Sequence, residues 1–164
     1  MVPQDGLTIV VVGASGDLAK KKTYPSLYQL FTSNLLPTTT IIWGYARTPM
    51  THQELRDQIR PFLDHTQSSS NHVLEAFLMR CYYKSGNSYG DAEAWTELIE
   101  YIHEHETQET HPSRSHNRLF YLAVPPNVFA ETGVVIKQTA MASQGWSRII
   151  IEKPFGKFLQ FAFD

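Results

Sequence analysis

The stretch VVVGASGDLAKKK, residues 10–22, sets Gly13, Gly16 and Ala19 at three-residue intervals, after an apolar run and just before three lysines. Each small residue suits one task in holding a dinucleotide. Gly13 takes a sharp turn, Gly16 lets the backbone approach a pyrophosphate, and Ala19 lets a helix press against a strand. Free N–H groups at the start of that helix would face the phosphates. The spacing is G-x-x-G-x-x-A and not the tighter G-x-G-x-x-G. A P-loop is excluded: it needs Gly-Lys-Ser/Thr, and here Asp17, Leu18 and Ala19 follow Gly16. A strand–turn–helix that holds no ligand remains the plainer alternative on the glycines alone.

A second cue lies in GYART, residues 44–48. A site that prefers NAD carries a carboxylate at the end of the second strand, where it bonds the ribose hydroxyls. No Asp or Glu occurs between Asp17 and Glu54, and Arg47 stands just past the strand instead. A guanidinium fits a 2′-phosphate by charge and by its forked donors, which favours NADP; an ordinary surface arginine is the alternative. Lys153, in EKPFG, follows the last strand, where ligands of open α/β sheets bind. Its ammonium can hold a substrate oxygen and neutralise phosphate charge, or it is a solvated lysine beside a turn. The seven histidines, at 52, 65, 72, 103, 105, 111 and 116, read mostly as surface residues in polar helix ends and loops. HEHETQETH is no zinc motif, because Thr107 stands four residues after His103, so no metal site is expected.

These residues need a scaffold, and the hydrophobic pattern supplies one. Residues 8–13 form a short β-branched apolar run, the mark of a strand buried on both faces. A helical period over 17–31 contains Pro25, which should kink or divide the helix. Strand 40–45 follows, then a helix from Thr51 to residue 63 with Glu54 completing a capping box. Residues 64–72 are a polar break, 73–80 a helix and 81–84 a short strand. A long acidic helix covers 92–106, and residues 105–117 make a polar excursion. Strand 118–124 stops at Pro125 and Pro126, a helix covers 127–142, and strand 147–152 is last. The alternation implies an α/β, Rossmann-like, doubly wound parallel sheet forming a single coenzyme domain over residues 1–156, with a Phe-rich tail at 157–164.

The bulk composition excludes several classes. With 42% hydrophobic and 18% charged residues the chain is globular and not disordered. A net charge of −2, from 14 basic and 16 acidic residues, suggests neither nucleic acid nor an anionic membrane as partner. No apolar run approaches the ~20 residues of a membrane helix. The start, MVPQDGLTIVVVG, has no secretory character, and the single Cys81 suits a reducing compartment, so a cytoplasmic location is expected.

Together, GASGDLAKKKTYPSLYQLF, GYART, NRLFYLAVPPNVF and GWSRIIIEKPFG resemble the amino-terminal coenzyme domain of glucose-6-phosphate dehydrogenase. The motifs run in that family's order from Gly13 to Gly156, while residues 49–116 are only loosely similar. The resemblance implies oxidation of glucose 6-phosphate to 6-phosphogluconolactone with NADP as coenzyme, at the head of the oxidative pentose phosphate pathway. It implies that Gly13, Ala14, Ser15, Gly16, Asp17, Leu18, Ala19 and Lys20 form the coenzyme loop. By the same resemblance, Arg47 matches a 2′-phosphate arginine and Tyr121 a coenzyme-contacting tyrosine. Lys153 matches a lysine that touches both coenzyme and sugar phosphate, and Pro154 a proline that positions it.

The pattern also breaks. The family's general base is a histidine in a downstream Arg-Ile-Asp-His-Tyr segment, and no such segment occurs here; after Lys153 there is no histidine. The family's larger α+β domain, which carries most of the sugar-phosphate site and the dimer interface, is likewise missing. The chain therefore reads as a truncated form with no catalytic residue of its own, weak or absent glucose 6-phosphate binding and little turnover. Loss of the base alone should cost about 10²–10⁴ in rate. A non-catalytic NADP(H)-binding module is the competing reading. A short reductase or epimerase ranks last, because none of the eight tyrosines begins a Tyr-x-x-x-Lys pair.

Overall fold

The computed structural model describes residues 5–63, 71–108 and 115–153. Five parallel strands form one sheet: β1 (Gly6–Val12), β2 (Ile41–Ala46), β3 (Cys81–Ser85), β4 (His116–Leu122) and β5 (Ser147–Ile151), in the order β3-β2-β1-β4-β5. β1 is central. It pairs with β2 from Thr8↔Ile41 to Val12↔Tyr45, and with β4 from Gly6↔His116 to Val12↔Leu122. Such a strand meets protein on both faces, and Ile9, Val10, Val11 and Val12 are accordingly almost wholly buried.

Helices cover both faces. One core joins α1 (Tyr24–Thr32), α2 (His52–Leu63) and α3 (Asn71–Leu78) to the sheet through Tyr28, Leu55, Ile59 and Phe77. The other joins α4 (Ala92–Gln108) and α5 (Phe129–Val135) through Trp95, Leu98, Ile102 and Val135. The doubly wound parallel sheet expected from the sequence is thus the observed fold. At its amino-terminal end, buried Arg118 of β4 grips Glu106 of α4 through two N–H groups, at 3.0 and 2.7 Å. Its remaining nitrogen donates to the carbonyls of Ala140 and Met141, and the Thr8 hydroxyl donates to Glu106. A buried ion pair is tolerable when its polar atoms are satisfied in this way.

The boundaries correct several expectations. The helix after the glycine loop starts at Asp17, passes through a π-helical turn at Ala19–Thr23 and becomes α1. Pro25 does not stop it. The Tyr24 N–H reaches back five residues to the Ala19 carbonyl, and the wider turn makes room just upstream of the proline ring. α1 ends where Asn34 takes φ 55°, with the Leu35 N–H on the Leu30 carbonyl, a cap usually given to glycine. The expected helix over 127–142 is three pieces: a 3₁₀ turn at Pro126–Val128, α5, and a π-helical turn at Ile136–Ala140. α4 and β4 extend into the polar excursion expected at 105–117, as far as Gln108 and from His116. The capping box forms: the Thr51 hydroxyl accepts the Glu54 N–H, and the Glu54 carboxylate accepts the Thr51 N–H. Most of the polar break at 64–72, residues 109–114 of the excursion with His111, Pro154, His65 and the tail at 157–164 lie outside the described residues.

Candidate functional site

The chain winds from β1 through α1 and α2 to β2 and β3 on one side, then crosses back through α4 to β4 on the other. The carboxyl ends of β1 and β4 therefore face a crevice at the point where strand order reverses. The glycine loop lies in that crevice. Gly13 leaves β1 with φ +87°, and its N–H donates to the Tyr45 carbonyl at 2.7 Å. A Cβ there would stand 2.3 Å from the Ala123 carbonyl oxygen and 2.8 Å from Val124 Cγ1, so only glycine lets β1 and β4 end side by side.

Gly16 differs. Its N–H closes a turn onto the Gly13 carbonyl at 3.0 Å, and the residue is exposed. A Cβ on Gly16 would meet only that same oxygen, at 3.3 Å, so packing within the chain makes a weak demand for glycine there. Ala14 and Ala19 are fully buried, and Leu18 is partly buried against the α1–α3 core. Ser15 lies beside the Tyr83 hydroxyl, which itself donates to the Thr48 carbonyl. Asp17 is exposed and pairs with Lys21 at 3.2 Å and Lys20 at 3.5 Å; the hydrogen bond from Lys21 leads in holding its carboxyl below the usual range. The N–H groups of this first helical turn have no partner inside the helix, by the geometry of any helix start.

Arg47 is exposed just past β2, its guanidinium 5.6 Å from the centre of the Tyr89 ring. Among the described residues no carboxylate lies within ion-pair distance of it. Beside it opens a cavity of about 270 Å³, whose walls include Lys84, Ser85, Gly86, Asn87 and Asp91. Tyr89 itself is fixed from below, since its carbonyl accepts the indole N–H of buried Trp95 at 3.0 Å.

Tyr121 lies on β4, register partner of Ile150. Its hydroxyl donates to the Glu152 carboxylate, and burial, then that carboxylate, push the phenol up to about 12. Lys153 is exposed directly after β5 and Glu152. Glycine loop, Arg47, Tyr121 and Lys153 all stand at the carboxyl ends of their strands. Four described histidines do not: His116 opens β4 at the far end, His72 begins α3, and His103 and His105 lie near the end of α4. His52, read from sequence as a surface residue, has a structural task, because its Nδ1 accepts the Tyr83 N–H at 3.0 Å. Sequence reasoning also missed Tyr89, Glu152 and Lys84. Tyr89 had a signal, an aromatic residue in the glycine-rich loop after β3; the other two had none.

A glycine turn at the switch point of a 3-2-1-4-5 parallel sheet, opening a helix, defines a dinucleotide-binding domain of Rossmann type. Residues 10–163 match the family described as glucose-6-phosphate dehydrogenase, NAD binding domain, and the chain belongs to that family. It is 44% identical over 168 residues to glucose-6-phosphate 1-dehydrogenase 6, cytoplasmic, of Arabidopsis thaliana, covering 99% of this chain and 32% of that protein. A chloroplastic relative from the same plant is 43% identical, covering 92% of this chain and 26% of its own length. A solved glucose-6-phosphate dehydrogenase in complex with its substrate glucose-6-phosphate superposes with a TM-score of 0.84 at 37% identity, covering 95% of this chain and 32% of that one. The chain spans about a third or less of the relatives it matches. No helix among the described residues is long and apolar enough to cross a membrane.

Proposed function

We propose that this chain binds NADP in the β1–β4 crevice, as the coenzyme-binding part of a dehydrogenase that oxidises glucose 6-phosphate to 6-phosphogluconolactone. The observation that carries this reading is Arg47. Its guanidinium, with no carboxylate partner among the described residues, lies over an aromatic ring, past a strand whose end has no carboxylate to bond a 2′-hydroxyl. Gly16 supports it, since its bare backbone is better explained by close approach of a pyrophosphate than by packing.

Residues 13–20 are the cradle in this reading. Gly13 shapes the turn, Gly16 opens the approach, and the N–H groups at the start of the helix face the phosphates. Arg47 takes the 2′-phosphate through its forked donors. Tyr121, locked onto Glu152, forms a wall of the nicotinamide end. Lys153 holds a sugar oxygen and neutralises phosphate charge. When bound, the coenzyme supplies the two-electron acceptor for oxidation at the sugar's C1. Glucose 6-phosphate binds weakly to this chain alone, and assembly into oligomers rests on parts of the relatives that this chain does not span. A cytoplasmic location is part of the proposal, supported by the single, buried Cys81 and by the cytoplasmic relative, with the chloroplast the alternative that its chloroplastic relatives offer.

A non-catalytic NADP(H)-binding module is the second reading. It is favoured by the described histidines, since His103, His105 and His116 lie toward the amino-terminal end of the sheet and His52 is bound to the Tyr83 N–H. Calorimetric titration tests the binding. The expected result is saturable binding of NADP⁺ in preference to NAD⁺, with Arg47→Ala removing about 10- to 100-fold of the preference, the worth of one or two charge-assisted hydrogen bonds. Equal binding of both coenzymes by the unaltered chain overturns the role of Arg47. An absorbance assay for NADPH with glucose 6-phosphate separates the two readings, because sustained turnover by this chain excludes the module.

A further inference from the structure

The cavity beside Arg47 contains a second cation with no part in the reading above. Lys84 lies near the end of β3, opposite Tyr45 in the parallel register. It therefore leaves the sheet on the same face as Tyr45, the face covered by α4, and its ammonium pairs with Glu97 of that helix. Lys84 and Arg47 line the same cavity at the carboxyl ends of β2 and β3.

The charges of this cavity are unequal in their commitments. Arg47 has no carboxylate partner among the described residues, whereas Lys84 is neutralised by Glu97. Asp91 also lines the wall, but its carboxylate is turned to the start of α4, accepting the Asn87 N–H at 2.9 Å and the Ala94 N–H at 3.2 Å. Glu93 belongs to the first turn of α4, where the helix dipole favours a negative charge. A phosphate monoester carries about −1.5 to −2 charges at neutral pH. One guanidinium leaves much of that uncompensated.

We propose that Lys84 is a second specificity-determining cation for the coenzyme's 2′-phosphate, held by Glu97 until the phosphate displaces the carboxylate. The inference rests on the coenzyme reading above and extends it to a residue outside the glycine loop and the arginine. The exchange is chemically mild. The Glu97 side chain is 47% exposed, so its released carboxylate returns to water, and a half-exposed ion pair is weak. The Lys84 side chain is 23% exposed, so its ammonium meets the phosphate in a partly dry setting, where a charge-assisted hydrogen bond is stronger. The flexible stem of a lysine suits a change of partner better than a rigid guanidinium would.

The test is calorimetric titration of the chain with NADP⁺ and, separately, NAD⁺. The variants are Lys84→Met, Lys84→Arg and Glu97→Gln, beside Arg47→Ala. Lys84→Met is expected to weaken NADP⁺ binding by about 5- to 10-fold and to leave NAD⁺ unchanged. Lys84→Arg keeps most of the preference. Glu97→Gln frees the ammonium and tightens NADP⁺ by about 2- to 5-fold, a gain that a purely structural pair would not give. The proposal is overturned if Lys84→Met changes both coenzymes alike or neither, or if Glu97→Gln weakens NADP⁺. Those results leave the coenzyme reading standing as long as Arg47→Ala abolishes the preference. An unaltered, folded chain that binds neither coenzyme overturns both.

Discussion

Gly13 meets two independent demands at one position. Its φ of +87° is strained for any residue with a side chain, and a methyl group there would run into the backbone of Ala123. Relaxing one demand does not relieve the other, because Ala123 is tied to the end of β1 by its N–H on the Val12 carbonyl at 2.8 Å. Gly13→Ala is therefore expected to destabilise the fold by about 2–5 kcal/mol, the sum of backbone strain and overpacking. A lowered urea midpoint at unchanged slope is the reading to look for; an unchanged midpoint would mean that the β1–β4 junction is soft. Gly16→Ala, by contrast, should leave the midpoint almost unmoved and weaken coenzyme binding, because the pressure on that position comes from outside the chain. At this scale the sequence was readable wherever a residue's chemistry is local. The glycine turn and the place of Arg47 just past β2 follow from neighbours in the chain. The partners of Tyr121 and Lys84 do not, since Glu152 and Glu97 reach them across strands and helices that no local pattern aligns.

The elements show a different limit. A buried parallel strand announces itself as an apolar run, so all five strands lie within two residues of where hydrophobicity places them. The helix expected over 127–142 is present over 126–140, but it changes hydrogen-bond register twice, from a 3₁₀ turn to α5 to a π-helical turn, which the apolar pattern does not mark. β3 adds a feature that only assembly reveals. It is an edge strand, and α2 covers its free side with residues one turn apart. His52 Nδ1 accepts the Tyr83 N–H, and Arg56 Nε donates to the Cys81 carbonyl at 3.0 Å. Edge groups satisfied this way are closed to further strand pairing. Burial, followed by the nearby Arg56 and His105, lowers the His52 pKa below its ordinary 6.5. The folded chain thus binds fewer protons than the unfolded one between the two pKa values, and stability rises with pH across that window. The contribution is complete above about 6.5 and is lost as pH falls through that value toward the folded pKa. The ring is partly solvated, so the effect is small, about 1 kcal/mol or less. Thermal melts at pH 7.5 and 5.5 should show the unaltered chain losing more on acidification than His52→Gln; parallel losses in both would remove the histidine from the account.

For the whole molecule, what matters is how the two edges of the sheet end. On the β3 side the edge is closed by α2. On the β5 side, Ile149 and Ile150 are 43% and 40% exposed and Trp146 is 37% exposed. Consecutive strand residues point to opposite faces, so both faces of the strand carry exposed apolar side chains, and among the described residues no strand pairs with its outer side. Within the sheet the contrast is sharp, since the isoleucines and valines of β1 and β2 are at most 7% exposed. An apolar strand edge of this kind is a surface suited to association. Burying the exposed part of one such isoleucine is worth only about 1 kcal/mol, so association at moderate protein concentration draws on the exposed side chains and the backbone of the edge together. The purified chain is therefore expected to elute from a sizing column above monomer mass and to bind a dye specific for apolar surface. Ile149→Lys places a charge on the edge, away from the glycine loop and the arginine. It should lower both signals while leaving NADP⁺ affinity unchanged. Clean monomeric elution without dye binding would show that the exposed isoleucines of β5 do not drive association.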